Sequence, residues 1–240
     1  MAERTREPVQ LALALGHSAS MAREDFVVSP ANAEALAMIE RWRDDWPVRT
    51  LALVGPRGSG KSHLAAIWAA RSGARTVAAA ELDEKAVPAV LAGGAAVVED
   101  LAEGTLNERA LFHLLNFAQQ QRAYILLTAE SAPGSLALRV ADLASRLRAV
   151  PVVALAAPDD ALLQAVLVKL FADRQLTVDE ALLVYLERRI ERSIAAARRV
   201  VEVLDRESLR RRRPLTRALA ADVLGAQASP SGGESVTRSS

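Results

Sequence analysis

The sequence has no cysteine, which removes disulfides, thiolate metal sites and a cysteine nucleophile from consideration. Aromatic residues make up 4% of the 240-residue chain against 51% hydrophobic residues. The core therefore has to be built mainly from Ala, Leu and Val, a bias that favours helices. An excess of charge of one sign is missing too: 30 Lys and Arg against 29 Asp and Glu leave a formal net charge of +1, which offers no global argument for nucleic-acid binding. No apolar run approaches the roughly 20 residues of a membrane span, and MAERTREPVQ lacks a signal-peptide layout. The expectation is a soluble cytoplasmic protein without a membrane segment. There is no internal repeat, and the length suits one large domain or a domain with a smaller companion.

What is present is organised around Thr50–Ser62, which reads TLALVGPRGSGKS. An apolar run leads into a loop with Gly55, Gly58 and Gly60, then Lys61 and Ser62. The pattern is G-x-x-x-x-G-K-[ST]. Its glycines let backbone N–H groups wrap phosphate oxygens, its lysine reaches the β- and γ-phosphates, and its hydroxyl holds Mg²⁺. HLAAIWAARSG follows, with apolar residues at helical spacing and Gly73 as a C-cap. The anion would then sit at a helix N-terminus. A chance glycine-rich turn is the alternative, and strand, signature and helix in this order argue against it. The candidate nucleotide contacts here are Gly55, Gly58, Ser59, Gly60, Lys61, Ser62 and His63. The implied ligands are ADP or ATP with Mg²⁺ on Ser62.

The rest of the chain reads around that unit. Gln10-Leu11-Ala12-Leu13-Ala14-Leu15 alternates leucines at period two, as a segment laid into a groove would; padding of the protein's own core fits equally well. Asp25–Pro30 reads as extended and Ala31–Trp46 as a helix. Strands are expected at Thr50–Val54, Thr76–Ala79, Ala95–Val98, Tyr124–Thr128 and Val150–Leu155. Helices are expected between them at His63–Arg71, Glu81–Leu91, Leu106–Gln121 and Leu136–Leu147. Alternating strands and helices predict a five-stranded parallel α/β sheet with its ligand at the carboxyl ends of the strands. After Pro158 four helices are expected and no strand. They run over Asp159–Asp173, then from a capping box at Thr177–Glu180, from a Ser193 cap to about Arg212, and over Leu215–Leu224, ended by Gly225. Residues 226–240 are too polar to order. The expected division is a flexible segment over 1–22, a P-loop nucleotide-binding base over 23–157, an all-helical lid over 158–225 and a tail over 226–240, which resembles the division of an AAA+ ATPase.

Three further features bear on chemistry. Val97-Val98-Glu99-Asp100 is a strand ending in acids, placed so that Glu99 can serve the Mg²⁺ shell and Asp100 can orient water toward the γ-phosphate. Thr128, at the end of the next strand, is placed to sense the γ-phosphate or to cap the strand. Arg146 and Arg148 stand just before the last strand, as surface arginines or as a finger toward a neighbouring subunit.

Together these motifs resemble the AAA+ module of the bacterial replication initiator DnaA, and more closely its shortened relatives of the Hda (HdaA) type, over about Asp25–Gly225. Phe26-Val27-Val28-Ser29-Pro30-Ala31-Asn32 is similar to the initiator's F-V-x-G-x-x-N, with Ser29 in place of glycine, which implies Phe26 and Asn32 near the adenine. Leu127-Thr128-Ala129-Glu130 resembles L-T-S-D, Leu143-x-Ser145-Arg146 resembles the arginine-finger segment L-x-S-R, and Leu204–Ser208 resembles L-D-R-A-S. The usual order of the two acids is reversed at Glu99 and Asp100, which implies slow intrinsic hydrolysis. Aligning on Leu204–Ser208 puts Ala195 where a lid arginine is usual, and leaves Arg198 and Arg199 as substitutes. Gln10, Leu11, Leu13 and Leu15 are similar to the Q-L-x-L-x-L by which Hda proteins bind the replication sliding clamp.

The resemblance thus implies a clamp-tethered regulator. It would insert Arg146 into ATP-bound DnaA, stimulate its hydrolysis and so restrain replication initiation. Its own ATPase would be weak, homodimerisation is left open, and no direct DNA recognition is implied. Two rivals remain on the sequence. One is a helicase-loader or transposition-type ATPase using Arg210–Arg213 on DNA; the other is a small-molecule kinase, against which the helical lid argues.

Overall fold

A strand buried on both faces has to be apolar where it is buried, and Thr50–Val54, with Leu51–Val54 buried, is such a strand. In the computed structural model, which describes residues 21–46 and 48–228, it is β1. The other strands are β2 (Arg75–Ala78), β3 (Ala95–Leu101), β4 (Tyr124–Ala129) and β5 (Val152–Ala154), in the spatial order β2-β3-β4-β1-β5 with all pairs parallel. β1 lies inside, between β4 and β5. The fold is the P-loop α/β class expected from the alternation of elements.

Side chains alternate between two buried layers. Leu51, Leu53, Val97, Leu126 and Val153 face α1 (Ala33–Glu40), α2 (Trp42–Asp45) and α3 (Lys61–Ser72). Ala52, Val54, Val98, Ile125 and Leu127 face α4 (Val87–Val90), α5 (Glu108–Gln121) and α6 (Ala141–Arg148). The chain's scarce aromatics are concentrated in the first layer. Trp46 stacks on Trp68 with ring centroids 5.0 Å apart, and Trp42 meets Trp68 and Tyr124 edge-on.

After β5 come α7 (Asp160–Ala172), α8 (Glu180–Glu187), α9 (Ile194–Arg211) and α10 (Arg217–Ala228). They share a separate apolar cluster that includes Leu163, Leu167, Phe171, Leu186, Val201, Leu204 and Leu219. Three caps set their starts: Asp159 accepts from the Leu162 N–H at 2.7 Å, Asp179 from that of Leu182 at 2.8 Å and Ser193 from that of Ala196 at 3.0 Å.

Several expected elements differ in the structure, each for a local reason. The helix over Ala31–Trp46 breaks at Arg41, because the Trp46 indole N–H donates to the Met38 carbonyl while Trp42 and Trp46 turn into the aromatic cluster. Glu81–Leu91 is two 3-10 turns and a single turn of α4, whose Pro88 has no N–H to extend it backward. The helix expected from Leu136 starts at Ala141, because the N–H groups of Ala137, Arg139 and Val140 donate to the Glu103 and Glu108 carboxylates. Asp179 caps α8 in place of Thr177. Gly225 does not adopt the left-handed conformation that ends a helix, and α10 continues to Ala228, three residues into the stretch expected to be disordered.

Two left-handed residues matter below. Arg49, just before β1, and Arg122, the C-cap of α5, have φ of 55° and 54°. An L side chain there costs about 1 kcal/mol relative to glycine.

Candidate functional site

The loop between β1 and α3 is shaped by approaches that only glycine permits. A Cβ on Gly55 would collide with the Leu155 carbonyl after β5, and one on Gly58 would stand 2.5 Å from the Ser193 Cβ. Gly58, at φ +73°, and Gly60, at φ +106°, turn the chain into α3. The Lys61 ammonium donates to the carbonyls of Gly55 at 2.7 Å and Pro56 at 2.9 Å, which leaves one of its three N–H groups uncommitted. Burial holds its pKa below the ordinary lysine value, partly offset by Asp100 and Glu130.

Lys61, Ser62 and His63 form one wall of a cleft of about 690 Å³ at the carboxyl ends of the strands. Asp100, Glu103 and Glu130 line another part, and Ala195 and Arg198 come to it from α9. Arg57 pairs with Glu130 at 2.6 Å at the exposed mouth. α9 is docked directly on the loop: the Ile194 N–H donates to the Gly58 carbonyl at 2.8 Å. The loop and the start of α9 thus face the same space.

The two acids at the end of β3 are separated by a bulge. The β3–β4 register shifts between Val98 and Leu101, and Asp100 sits at φ 57°. The Thr128 hydroxyl, fully buried, accepts the Asp100 N–H at 3.0 Å and replaces the ladder bond lost there. Thr128 therefore aims Asp100 into the cleft without lining it. Glu99 does not line the cleft either, and one of its carboxylate oxygens is buried without a partner among the described residues.

The polyphosphate of a nucleotide, with Mg²⁺, fits this donor set. Lys61 and the first-turn N–H groups of α3 suit phosphate oxygens. Ser62 and Asp100 offer oxygens to a hard cation that takes most of its remaining ligands from water and phosphate. No group of three or more His, Cys, Asp or Glu side chains that could hold a metal ion occurs among the described residues. Bound there, the nucleotide and cation would supply the phosphoanhydride and its charge neutralisation.

Phe26 and Asn32 stand behind this wall. Phe26 meets the His63 ring edge-on at 5.2 Å, and Asn32 shapes the preceding turn by accepting the Ser29 N–H and donating to the Val27 carbonyl. Ser29 adds to that turn by accepting the Ala31 N–H. Ser59 is buried beside Gly55, and its hydroxyl has no partner among the described residues. His63 bridges the two halves of the cleft. Its Nε2 lies 3.0 Å from the Ala22 carbonyl and its Nδ1 3.4 Å from an Arg198 guanidinium nitrogen. This network assigns the neutral tautomer, with Nε2 donating and Nδ1 accepting. Burial, and then Arg198, lower the His63 pKa, opposed by the Ala22 bond.

Of the two arginines that could stand in for Ala195, Arg198 faces the cleft, and its Nε is buried without a partner among the described residues. Desolvation, with Arg174 nearby, lowers its pKa. Arg199 is exposed and lies 3.8 Å from Glu191. Sequence reasoning missed the Arg57–Glu130 pair, Glu103 and the docking of Ile194 on Gly58, because each depends on segments distant in the chain.

Arg146 is elsewhere. It lies on α6, where its guanidinium donates to Gln119 at 3.1 Å and sits 5.7 Å over the Phe112 ring. It lines a second cleft of about 790 Å³, at the amino ends of the strands. Arg148 is exposed. In the basic run, Arg210 and Arg211 both pair with Glu207, and Arg213 lies 3.6 Å from Asp222. Gln10, Leu11, Leu13 and Leu15 lie outside the described residues. No described helix is long and apolar enough to cross a membrane.

No protein-family model matches the sequence, and no curated protein matches it. Solved structures do. Domain III of the Thermotoga maritima replication initiation protein DnaA superposes with a TM-score of 0.71 at 19% identity, covering 88% of this chain and 98% of that one. A replication initiator DnaA bound to AMPPCP and single-stranded DNA gives 0.62 at 17% identity, over 79% of this chain and 66% of that one. The Thermotoga maritima RuvB Holliday junction branch migration motor gives 0.66 at 15% identity, over 86% and 72%. At these identities the likeness is one of fold: the chain has the AAA+ fold that DnaA and RuvB share.

Proposed function

We propose that this chain is a nucleotide-binding AAA+ regulator that acts on a second P-loop ATPase rather than turning over its own substrate. ADP or ATP with Mg²⁺ occupies the cleft of Lys61, Ser62, Asp100 and Arg198. Arg146 acts in trans, stimulating hydrolysis of DnaA-bound ATP and so restraining replication initiation. Gln10–Leu15 tethers the chain to the sliding clamp. The observation that carries this reading is the position of Arg146, at the opposite end of the sheet from its own phosphate loop. It cannot serve its own nucleotide but is free to approach another's.

The internal pairing of Arg210, Arg211 and Arg213 weighs against the DNA-acting rival, since guanidiniums held by carboxylates contribute less to phosphate neutralisation. The test is hydrolysis of ATP bound to DnaA on DNA-loaded clamp. Arg146→Ala should lower the stimulated rate by about 10³-fold or more, with ADP affinity and clamp binding unchanged, and Arg148→Ala should lose much less. Equal behaviour of both variants would remove the finger assignment.

A further inference from the structure

The cleft around Arg146 holds more positive charge than one finger requires. Arg49 and Arg122 line it as well. No carboxylate among the described residues pairs with any of these three guanidiniums, and Asp142 is the one acid on the described wall. Two of the three guanidiniums are also held in place. Arg49 donates to the Arg122 carbonyl at 3.0 Å and lies 4.8 Å over the Tyr124 ring, while Gln119 and Phe112 hold Arg146. Both Arg49 and Arg122 occupy left-handed backbone positions where glycine or asparagine would be less strained. A turn alone would not call for arginine at either place, and strain of this kind collects where a side chain is needed.

We infer that Arg49 and Arg122 form, with Arg146, a three-arginine cradle that docks the nucleotide-bearing face of the partner ATPase. This rests on the reading that Arg146 acts in trans. Charge complementarity argues for that occupant. The same face of this chain's own module sets Asp100, Glu103 and Glu130 against Arg57, Lys61 and Arg198 around the proposed phosphate site, so that a bound polyphosphate leaves that face net negative. A partner of this fold presents carboxylates and polyphosphate together. Arg146 reaches the reacting phosphate; Arg49 and Arg122 are positioning residues that bring the two faces together.

The experiment titrates this protein, full length, into ATP-loaded DnaA on DNA-loaded clamp at several salt concentrations. Arg122→Gly is the informative variant, because glycine relieves the left-handed strain and the fold should melt at the same or a higher temperature. It and Arg49→Ala should each raise the half-saturating concentration about tenfold and flatten its salt dependence, with the maximal rate unchanged. Arg122→Lys should retain most of the wild-type salt dependence. If Arg146→Ala abolishes stimulation while Arg122→Gly and Arg49→Ala match wild type, the cradle is wrong and the finger stands. If Arg122→Lys fails as badly as Arg122→Gly, the charge argument is wrong. If Arg146→Ala stimulates normally, the trans-acting reading falls and the cradle falls with it.

Discussion

The sheet carries a cleft at each end, about 690 Å³ at the carboxyl ends of its strands and about 790 Å³ at the amino ends. Left-handed backbone shapes both, in opposite ways. At the carboxyl end it belongs chiefly to Gly58 and Gly60, and backbone amides at the start of α3 are what an anion would meet. At the amino end it belongs to Arg49 and Arg122, and guanidiniums do the lining. Glycine strips side chains away so that the backbone can approach a small ligand. Arginine in the same conformation projects charge outward, which suits a surface that meets another macromolecule.

The comparison breaks most readily at Lys61. Lys61→Ala should weaken ADP binding by at least about 100-fold, since a buried ammonium is the cationic partner of the phosphates. Calorimetric titration measures it, and the amino-end cleft should be untouched. If ADP bound as tightly as to wild type, the carboxyl-end cleft would not be the nucleotide site.

Gly58→Ala should come next, at about 2 kcal/mol of stability, because its Cβ meets Ser193 and the residue takes a left-handed φ. Thermal melting with and without ADP would show it. A variant as stable as wild type would mean that α9 is not held on the loop.

A smaller effect separates two neighbours on α9. Arg198→Ala should weaken ADP binding about tenfold, as expected for loss of a charge-assisted hydrogen bond, and Arg199→Ala should leave it unchanged. The reverse order would reassign the lid arginine.

The smallest expected effect is a pH dependence at His63. Its folded pKa is lowered, so the unfolded chain takes up the proton first as pH falls through about 6.5. Stability from the neutral ring is complete above that value and declines toward the folded pKa, because a buried imidazolium would lose its hydration and also oppose Arg198. His63→Gln should flatten this decline in urea melts between pH 7.5 and pH 5. An unchanged slope would place the titration elsewhere.

Much of the carboxyl-end cleft was legible in the chain because one motif contains it. The run Thr50–Ser62 specifies a buried strand, a glycine turn and a helix start within thirteen consecutive residues, and local conformational preferences suffice to place them. The role of Thr128 was not legible as a single reading. Sensing a phosphate and capping a strand ask for the same residue at the same place, and only the bulge at Glu99–Asp100 shows its hydroxyl engaged with the Asp100 N–H. The choice between Arg198 and Arg199 was likewise open, because adjacent residues on a helix differ by about 100° in direction and the docking of α9 decides which one faces the cleft.

By itself, then, the sequence determined the alternation of strands and helices, the phosphate loop and the cap at Ser193. Each depends on residues a few positions apart, whose backbone preferences and hydrogen bonds act locally. Only the tertiary structure decided that Arg49, Arg122 and Arg146 share a cleft, that Ile194 binds Gly58 and that Arg198 meets His63. Those meetings join residues between 24 and 136 positions apart. Packing of the two layers on a parallel sheet gathers the arginines, and the docking of α9 on the phosphate loop makes the other two contacts; no local preference does either.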